Sequence, residues 1–365
     1  MRVVIVGGGL IGRGIAWELG KRGVEVVLLD RESPHAAFKA AAGLLIPAGG
    51  RISRHHHALR RESAALYPAF VEELESTTGL SCGYRQCGTL TVAYEPGAKN
   101  AVTGMCGCLR GIGVEVEQLA REECLLREPA LGERVGAGYL AQDHLVDPVA
   151  LLAALAQAGE ALGVESVHGT VVSVAPGEVR LATGDTISGD RVVVANGAWM
   201  AELLDLPVYP VKGETIQTTA HPELLNHCLS VQKANLYLAN RGDGRYVVGA
   251  TEEEAGFDNS VTATTSLWER ALELVPALAD SHPLETRVGF RPKVGDGLPI
   301  LGEFQGLLVA GAHYRNGVLQ TPITGKLMAH LILTGETPEL ARPFSPLRDM
   351  GPRTPRPEFS RSKGG

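Results

Sequence analysis

The chain has 365 residues, 44% of them hydrophobic and 21% charged, with a formal net charge of −7 at pH 7. This composition is that of an ordinary globular protein and excludes a disordered or fibrous chain, while the length predicts more than one hydrophobic core. No apolar run reaches the roughly 18 residues of a membrane helix, and no long basic block offers a footprint for nucleic acid.

The first thirty residues predict a strand, a glycine turn, a helix and a second strand. Residues 3–6 are a run of β-branched apolar residues, typical of a parallel strand buried on both faces. A helix over residues 10–21 and a strand over residues 24–29 follow, and Asp30 ends the second strand. Because no basic segment, apolar segment and cleavage site precede Arg2, we expect no export signal and a cytoplasmic protein.

The remaining elements alternate between two patterns. Residues 80–140 read as short strands and amphipathic helices, with residues 88–94 the clearest strand. Asp147 and Pro148 open a helix that lasts to about residue 162, with Asp as N-cap and Pro at the first helical position. Residues 191–195 then predict a buried strand that returns to the first sheet.

The residues from 205 onward repeat the alternation between these two patterns. Residues 205–285 read as strands with a helix near residues 266–278, after which a strand at 307–310 and a helix at 318–333 follow. We therefore expect an α/β fold with one discontinuous domain and a second domain inserted into it. The first comprises 1–80, 141–205 and 286–345, the second 81–140 and 206–285, and the Pro-, Arg- and Ser-rich tail 346–365 is predicted to be disordered.

The glycines at positions 7, 9 and 12 match the pattern G-x-G-x-x-G after a strand and at the start of a helix. Gly7 permits the tight turn, Gly9 lets the backbone approach a pyrophosphate, and Gly12 lets helix and strand pack closely. The helix N-terminus supplies N–H donors, and Asp30 can accept both ribose hydroxyls of an adenosine. The motif predicts a dinucleotide site but does not separate NAD from FAD.

Neither cysteines nor histidines predict a metal site. The six cysteines are too few and too irregular for a disulfide framework, and none completes a zinc-type pattern with a second pair. The three consecutive histidines at 55–57 are flanked by Arg54, Arg60 and Arg61, and we interpret them as a solvated basic stretch.

Four further stretches carry a family resemblance. Residues 192–199 (VVVANGAW), 289–292 (GFRP), 296–302 (DGLPILG) and 311–317 (GAHYRNG), together with 40–45 and 210–214, resemble the glycine oxidase branch of the D-amino-acid oxidase superfamily. The resemblance implies a Rossmann-type FAD-binding domain with an interleaved mixed α+β substrate domain. It also implies non-covalent FAD, oxygen as electron acceptor, a homo-oligomer, and oxidation of glycine or a similar small amine to oxo acid, ammonia and hydrogen peroxide, serving thiamine thiazole synthesis.

The resemblance also implies a set of FAD-binding residues spread over the chain. They are Gly7, Gly9, Leu10, Ile11, Gly12, Asp30, Arg31, Ala41, Ala42, Gly43, Leu44, Val172, Asn196, Gly197, Trp199, Arg291, His313, Arg315, Asn316, Gly317 and Val318.

Arg291 and Tyr237 are the predicted catalytic and substrate-binding residues, with Arg315 as a further substrate contact. An oxidase must hold the Cα–H of an amino acid against the flavin, and a guanidinium fork binds the substrate carboxylate in two places. Arg291 in a structural salt bridge and Tyr237 as a cross-strand packing residue are the alternatives. Since the amine must be neutral to react, we expect turnover at limiting substrate to rise with pH toward the amine pKa.

One departure from the family leaves the substrate open. The branch places an apolar residue after Gly249-Ala250-Thr251, whereas Glu252 stands here, either pointing into the pocket or facing water. A quinone-linked D-amino-acid dehydrogenase is the nearest alternative function. An NAD-dependent dehydrogenase and a non-catalytic flavin- or nucleotide-binding protein are alternatives from other classes.

Overall fold

The computed structural model describes residues 1–49 and 53–351. Its helices are α1 (Leu10–Gly20), α2 (Arg54–Thr78), α3 (Ala98–Gly111), α4 (Arg121–Arg127), α5 (Pro148–Ala161), α6 (Thr264–Leu274) and α7 (Gly317–Thr334). Its strands are β1 (Arg2–Val6), β2 (Glu25–Asp30), β3 (Leu44–Leu45), β4 (Thr89–Tyr94), β5 (Val116–Ala120), β6 (Val135–Ala141), β7 (His144–Leu145), β8 (Glu165–His168), β9 (Val171–Ala175), β10 (Glu178–Leu181), β11 (Thr186–Ser188), β12 (Arg191–Val194), β13 (Tyr209–Thr219), β14 (Cys228–Val231), β15 (Leu236–Asn240), β16 (Arg245–Gly249), β17 (Glu285–Lys293), β18 (Ile300–Phe304) and β19 (Leu307–Gly311).

A six-stranded sheet of order β18-β19-β12-β1-β2-β8 forms the first layer. The strands β19, β12, β1, β2 and β8 run parallel, and only the edge strand β18 is antiparallel to its neighbour. Alternate residues of β1 enter different cores, since Val3 and Ile5 pack with α1 and α7 while Val4 and Val6 pack on the opposite face. This two-sided burial is the reason for the continuous apolar run in β1.

An eight-stranded, mostly antiparallel sheet of order β17-β13-β16-β15-β14-β4-β6-β5 forms the second layer. Its buried face packs with α6 in a separate hydrophobic core that includes Leu90, Leu238, Val248 and Leu267. The chain alternates between the two sheets: β1 and β2, then β8 and β12, then β18 and β19 belong to the first, whereas β4 to β6 and β13 to β17 belong to the second. The strands β3 and β7 form a two-stranded sheet, and β9 to β11 form a three-stranded sheet. The α/β fold with an interleaved mixed domain is thereby confirmed.

The proposed boundary at residue 286 falls inside β17, which pairs with β13 along its whole length. That strand therefore belongs to the second sheet, because hydrogen bonding rather than sequence position decides sheet membership. The helix predicted at 266–278 is shorter: α6 ends at Leu274, and Pro276 begins a 3-10 turn. Within residues 1–49 and 53–351, no helix has the length and apolar character to cross a membrane.

Two predictions for polar stretches are corrected by the structure. The histidines at 55–57 lie on the 25-residue helix α2, whose inner face buries His56 and Arg60. That stretch is therefore not solvated throughout, because long-range packing against α7 covers one side of it. In the predicted tail, Met350 is buried against the first sheet, so disorder does not apply to 346–351, and residues 352–365 lie outside the described residues.

Candidate active site

The glycine turn between β1 and α1 has the geometry that the sequence predicts. Gly7 adopts φ +117°, and a Cβ there would lie 2.4 Å from the carbonyl oxygen of Ala195, so only glycine fits. A Cβ on Gly12 would lie 1.8 Å from the carbonyl oxygen of Gly7. A Cβ on Gly9, in contrast, would meet no atom within 4 Å. Gly7 and Gly12 thus hold the turn together, whereas Gly9 borders open space where a ligand can approach the backbone.

Two helices point uncapped N-termini at the same cavity. The N-caps of α1 (Gly9) and α7 (Asn316) make no side-chain capping hydrogen bond, and neither helix has an acidic residue in its first turn. The helices α2 and α5, by comparison, are capped by the side chains of Ser53 and Asp147. The free N–H groups and the positive end of the dipole make the starts of α1 and α7 suitable for anionic ligand groups.

The cavity follows the carboxyl ends of the parallel strands, where ligands bind in open α/β sheets. Asp30 ends β2, Asn196 follows β12, and the loop 311–317 follows β19, and all of them line a cavity of about 1690 Å³. The Oδ1 atom of Asn196 is buried and has no hydrogen-bond partner among the described residues. A ligand that donates to this oxygen would complete its hydrogen bonding.

Most of the predicted cofactor residues line this one cavity. They are Gly7, Gly9, Leu10, Ile11, Asp30, Arg31, Ala41, Ala42, Gly43, Leu44, Asn196, Gly197, Trp199, Arg291, His313, Arg315, Asn316, Gly317 and Val318. Gly12 lies behind the lining, where it packs under Gly7. Val172 is half exposed and outside the lining, whereas its neighbour Val171 is part of it, because successive side chains of a strand face opposite sides.

Arg291 lies on β17 with its guanidinium in the cavity. Its Nη1 donates to the carbonyl oxygens of Thr251, at 3.0 Å, and Lys212, at 3.4 Å. Within the described residues, no carboxylate lies within 4 Å of this guanidinium, and its remaining N–H groups donate to no protein acceptor. Arg291 is therefore held by neutral acceptors and offers an uncompensated positive charge, which argues against a structural salt bridge.

Strand register places Tyr237 and Arg291 on one face of the second sheet. Tyr237 on β15 pairs with Gly249 on β16, which in turn pairs with Thr215 on β13. Gly213 lies two residues before Thr215 and therefore on the same face of the sheet. The Arg291 guanidinium covers Gly213, where a Cβ would lie 2.3 Å from it, and the Tyr237 ring covers Gly249 at the same distance. The two glycines leave the space in which both side chains lie against the sheet and reach the cavity.

The hydroxyl of Tyr237 is available to a ligand, since it makes no hydrogen bond within the described residues. Burial raises the pKa of Tyr237 above its ordinary value, and the positive charges of Arg291, Arg315 and Arg241 act against that rise. The phenol is therefore neutral at physiological pH and can donate a hydrogen bond. The ring packs against a hydrophobic cluster that includes Ala42 and Val247, and the residue also lines the cavity.

Glu252 also lines the cavity, and it is exposed to solvent at the same time. Its Oε2 lies 3.6 Å from Nη1 of Arg315, which also donates to Oδ1 of Asn235 at 3.4 Å. Next to them, burial and the Glu252 carboxylate raise the pKa of Tyr314. Of the two arginines Arg291 and Arg315, only Arg315 thus has a carboxylate partner within 4 Å among the described residues.

The environment of His313 does not favour a general base. Its ring is fully buried, Nε2 lies 3.0 Å from Oγ1 of Thr324, and burial lowers its pKa to about 3. The preceding residue Ala312 and the following Tyr314 have left-handed backbones, with φ +54° and +51°. The neutral His313 therefore fixes a strained loop on α7, which brings the N-terminus of that helix to the cavity.

Sequence reasoning missed the contribution of α2 to the cavity wall. Arg60 lines it, and its Nη2 donates to the carbonyl oxygens of Ile46, at 2.8 Å, and Gly49, at 2.7 Å. His56 lines it too, with Nε2 at 2.8 Å from the amide nitrogen of Gln320, and burial lowers its pKa to about 4. The signal that would have found them is the helical spacing of Leu59, Tyr67 and their neighbours along residues 54–78.

These residues fit FAD. A dinucleotide suits four features of the cavity: the open space at Gly9, the two uncapped helix N-termini, Asp30 and the unpartnered Asn196 oxygen. The cavity continues from these features to Arg291. Among the described residues, no cluster of three or more His, Cys, Asp or Glu side chains is arranged to hold a metal ion.

Comparison with known proteins agrees with this geometry. The family model described as FAD dependent oxidoreductase matches residues 2–331. Glycine oxidase of Geobacillus kaustophilus is 36% identical to this chain, over 96% of this chain and 97% of that protein. The crystal structure of glycine oxidase from Geobacillus kaustophilus superimposes with a TM-score of 0.88, over 96% of this chain and 100% of that one. The bifunctional protein ThiO/ThiG of Synechocystis is 36% identical over 97% of this chain but only 55% of that protein, so this chain spans about half its length. The chain belongs to the FAD dependent oxidoreductase family.

Proposed function

We propose that this protein oxidises the carbon–nitrogen bond of glycine or a similarly small amino acid, such as sarcosine or a small D-amino acid. The observation that carries the proposal is the uncompensated Arg291 guanidinium beside the Tyr237 hydroxyl in the cavity that continues from the dinucleotide site. Arg291 is also a predicted FAD-binding residue, but its remaining N–H groups and the Tyr237 hydroxyl donate to no acceptor within the described residues. Both suit the carboxylate of an amino acid.

Each residue has a separate task in this proposal. Arg291 binds the substrate carboxylate through its free N–H groups, and Tyr237 donates a further hydrogen bond to it. The bound FAD supplies two-electron oxidation of the Cα–N bond. The N-terminus of α7, left uncapped at Asn316, presents its positive end to the cavity, where it stabilises negative charge without a titratable group.

No acid or base within the cavity is required for the chemistry. The amine binds as the neutral species, so that its nitrogen lone pair assists loss of hydride from Cα, and water hydrolyses the resulting imine to the oxo acid and ammonia. Oxygen is the proposed electron acceptor, with hydrogen peroxide as product. The similarity to ThiO/ThiG and glycine oxidase supports a role in thiamine thiazole synthesis.

The predicted cofactor residues, the cytoplasmic location and the homo-oligomeric state remain proposals. So does the division into an FAD-binding and a substrate-binding domain, with β17 assigned to the latter on its pairing with β13.

The test is a substrate panel on the purified yellow protein. We expect glycine, sarcosine and D-alanine to bleach the flavin in the absence of air and to release peroxide stoichiometrically when air is admitted. If amino acids bleach the flavin but the electrons pass only to an artificial quinone and not to oxygen, the protein is the dehydrogenase alternative. Flavin that no amino acid bleaches would contradict the proposal.

A further inference from the structure

Two arginines line the substrate end of the cavity, and only one of them has a carboxylate partner within the described ranges. Arg291 has no carboxylate within 4 Å among the residues that the structure describes, whereas Arg315 has Glu252 at 3.6 Å. The side chain of Arg315 is 51% exposed and that of Glu252 27% exposed, so the pair lies toward solvent. The positive charge of Arg315 still acts on Tyr237, whose pKa it lowers, so Arg315 belongs to the substrate region.

The number of arginines without a carboxylate partner determines how many carboxylates a favoured substrate carries. Apart from Arg60, whose Nη2 donates to the carbonyl oxygens of Ile46 and Gly49, the arginines to count at the substrate end are Arg291 and Arg315. Two guanidinium groups without a carboxylate partner there would accept a substrate with two carboxylates, whereas one accepts a single carboxylate. A second carboxylate near Arg315 would have to displace Glu252 or lie beside it, and like charges placed next to each other disfavour binding. Glu252 therefore acts against a dicarboxylate and leaves a monocarboxylate on Arg291 unaffected.

We propose that Glu252 determines substrate specificity: its carboxylate neutralises Arg315 and thereby excludes amines that carry a second carboxylate. This inference rests on the proposed amino-acid oxidation and adds to it the residue that restricts the substrate class. Glu252 is a positioning and selecting group, and it takes no part in bond breaking.

The local backbone explains why Glu252, and not its neighbours, has this role. Lys212 and Glu253 exchange backbone hydrogen bonds of 2.8 and 3.0 Å, which fixes the segment beside β13. The Glu253 carboxylate lies 3.7 Å from the buried Lys212 ammonium, and Glu254 pairs with Lys293 at 2.8 Å. Because successive side chains of an extended segment alternate in direction, Glu252 faces the cavity while Glu253 faces away from it.

The Glu252–Arg315 pair is open to mutation without loss of the fold. At 3.6 Å it is too long for a hydrogen bond, and a pair this exposed contributes little to stability. Glu253→Gln is the matched control, because it removes the same charge one residue away, outside the cavity lining, and leaves Lys212 with Glu214 and Asp258.

The experiment compares sarcosine with iminodiacetate, which are secondary amines that differ by one carboxylate. The readout is the ratio of kcat/KM for iminodiacetate to that for sarcosine, measured by peroxide release from holoenzyme. We expect Glu252→Gln to raise this ratio at least about tenfold, equivalent to about 1.4 kcal/mol. Glu253→Gln should leave the ratio within about twofold of wild type, and Arg315→Gln added to Glu252→Gln should abolish the gain.

Three outcomes would overturn the proposal: an unchanged ratio in Glu252→Gln, an equal rise in Glu253→Gln, or a gain that survives loss of Arg315. A measurement on the wild type needs no variant, namely the binding of acetate and malonate followed by the flavin absorbance. Malonate binding more than about tenfold tighter than acetate would show that Arg315 is free and would contradict the inference. If the wild type oxidises neither glycine nor sarcosine, the proposed function fails instead.

Discussion

The cofactor end and the substrate end of the cavity are built from different material. At the cofactor end, the proposed contacts come mostly from backbone, namely the glycine turn, the uncapped starts of α1 and α7 and the strained loop before α7, together with the side chains of Asp30 and Asn196. At the substrate end, side chains from β15, β17 and the segment after β16 meet above two glycines. The difference teaches that cofactor binding depends on main-chain shape, while substrate choice depends on a few exchangeable side chains.

Arg291→Ala should produce the largest effect and test the substrate end directly. Loss of two charge-assisted hydrogen bonds of about 1.5–3 kcal/mol each should lower kcat/KM roughly 10²- to 10⁴-fold. The visible spectrum should keep its flavin bands, because Arg291 is not part of the backbone cradle. Loss of the flavin together with activity would show that the two ends are not separate.

Gly213→Ala should break the substrate end without touching a substrate contact. The new Cβ would lie 2.3 Å from the Arg291 guanidinium and displace it, and a misplacement of about 1 Å can lower turnover about 10²-fold. Gly107→Ala in α3 is the control, since its Cβ meets no atom within 4 Å. Steady-state kinetics should show the loss only in the first variant.

Gly9→Ala should break the cofactor end alone. The new Cβ enters open space on an extended backbone of φ −73°, so the fold should persist while flavin dissociates about tenfold more readily or worse. Equilibrium dialysis against FAD measures this. Gly12→Ala provides the contrast, because its Cβ would meet the carbonyl oxygen of Gly7 and should lower the melting temperature of the apoprotein.

Tyr237→Phe should have a smaller effect than Arg291→Ala. One charge-assisted hydrogen bond of about 1.5–3 kcal/mol is lost instead of two, so the KM for glycine should rise roughly 13- to 160-fold with flavin retained. A decrease in kcat as large as that of Arg291→Ala would mean that the hydroxyl takes part in the chemical step.

The smallest effect is expected for the pH dependence of His313→Asn. Burial holds the pKa of His313 at about 3, below its ordinary value, so the ring is already neutral throughout the range above pH 5. The rise of kcat/KM toward the amine pKa should therefore keep its midpoint in this variant, whatever its amplitude. A shift of the midpoint by a full pH unit would identify His313 as a titrating group.

The difference between backbone contacts at the cofactor end and side-chain contacts at the substrate end explains which site residues the sequence could predict. The glycine pattern and Asp30 were readable because local spacing alone produces the turn, and Arg291 and Tyr237 were found through resemblance. The direction of Glu252 was not readable, since it depends on the pairing of Lys212 with Glu253 across the sheet. Burial of His56 was missed for a similar reason, because Gln320 and Phe344 that contact it are remote in sequence.

The position of Val172 relative to the cavity depends on strand alternation. Val171 rather than Val172 lines the cavity, and β9 pairs with β10 through a register irregularity at Arg180 and Leu181. Alternation along a strand decides which side chain faces inward, and a short exposed strand gives no apolar pattern from which to fix it.

The alternation of the chain between the two sheets limits how the enzyme can be rebuilt. Neither sheet comes from one continuous segment, so no single cut divides the gene into a flavin module and a recognition module that each fold alone. New substrate ranges are therefore accessible by point replacement within β15, β17 and the segment after β16, whereas grafting a foreign recognition layer would require several simultaneous joins.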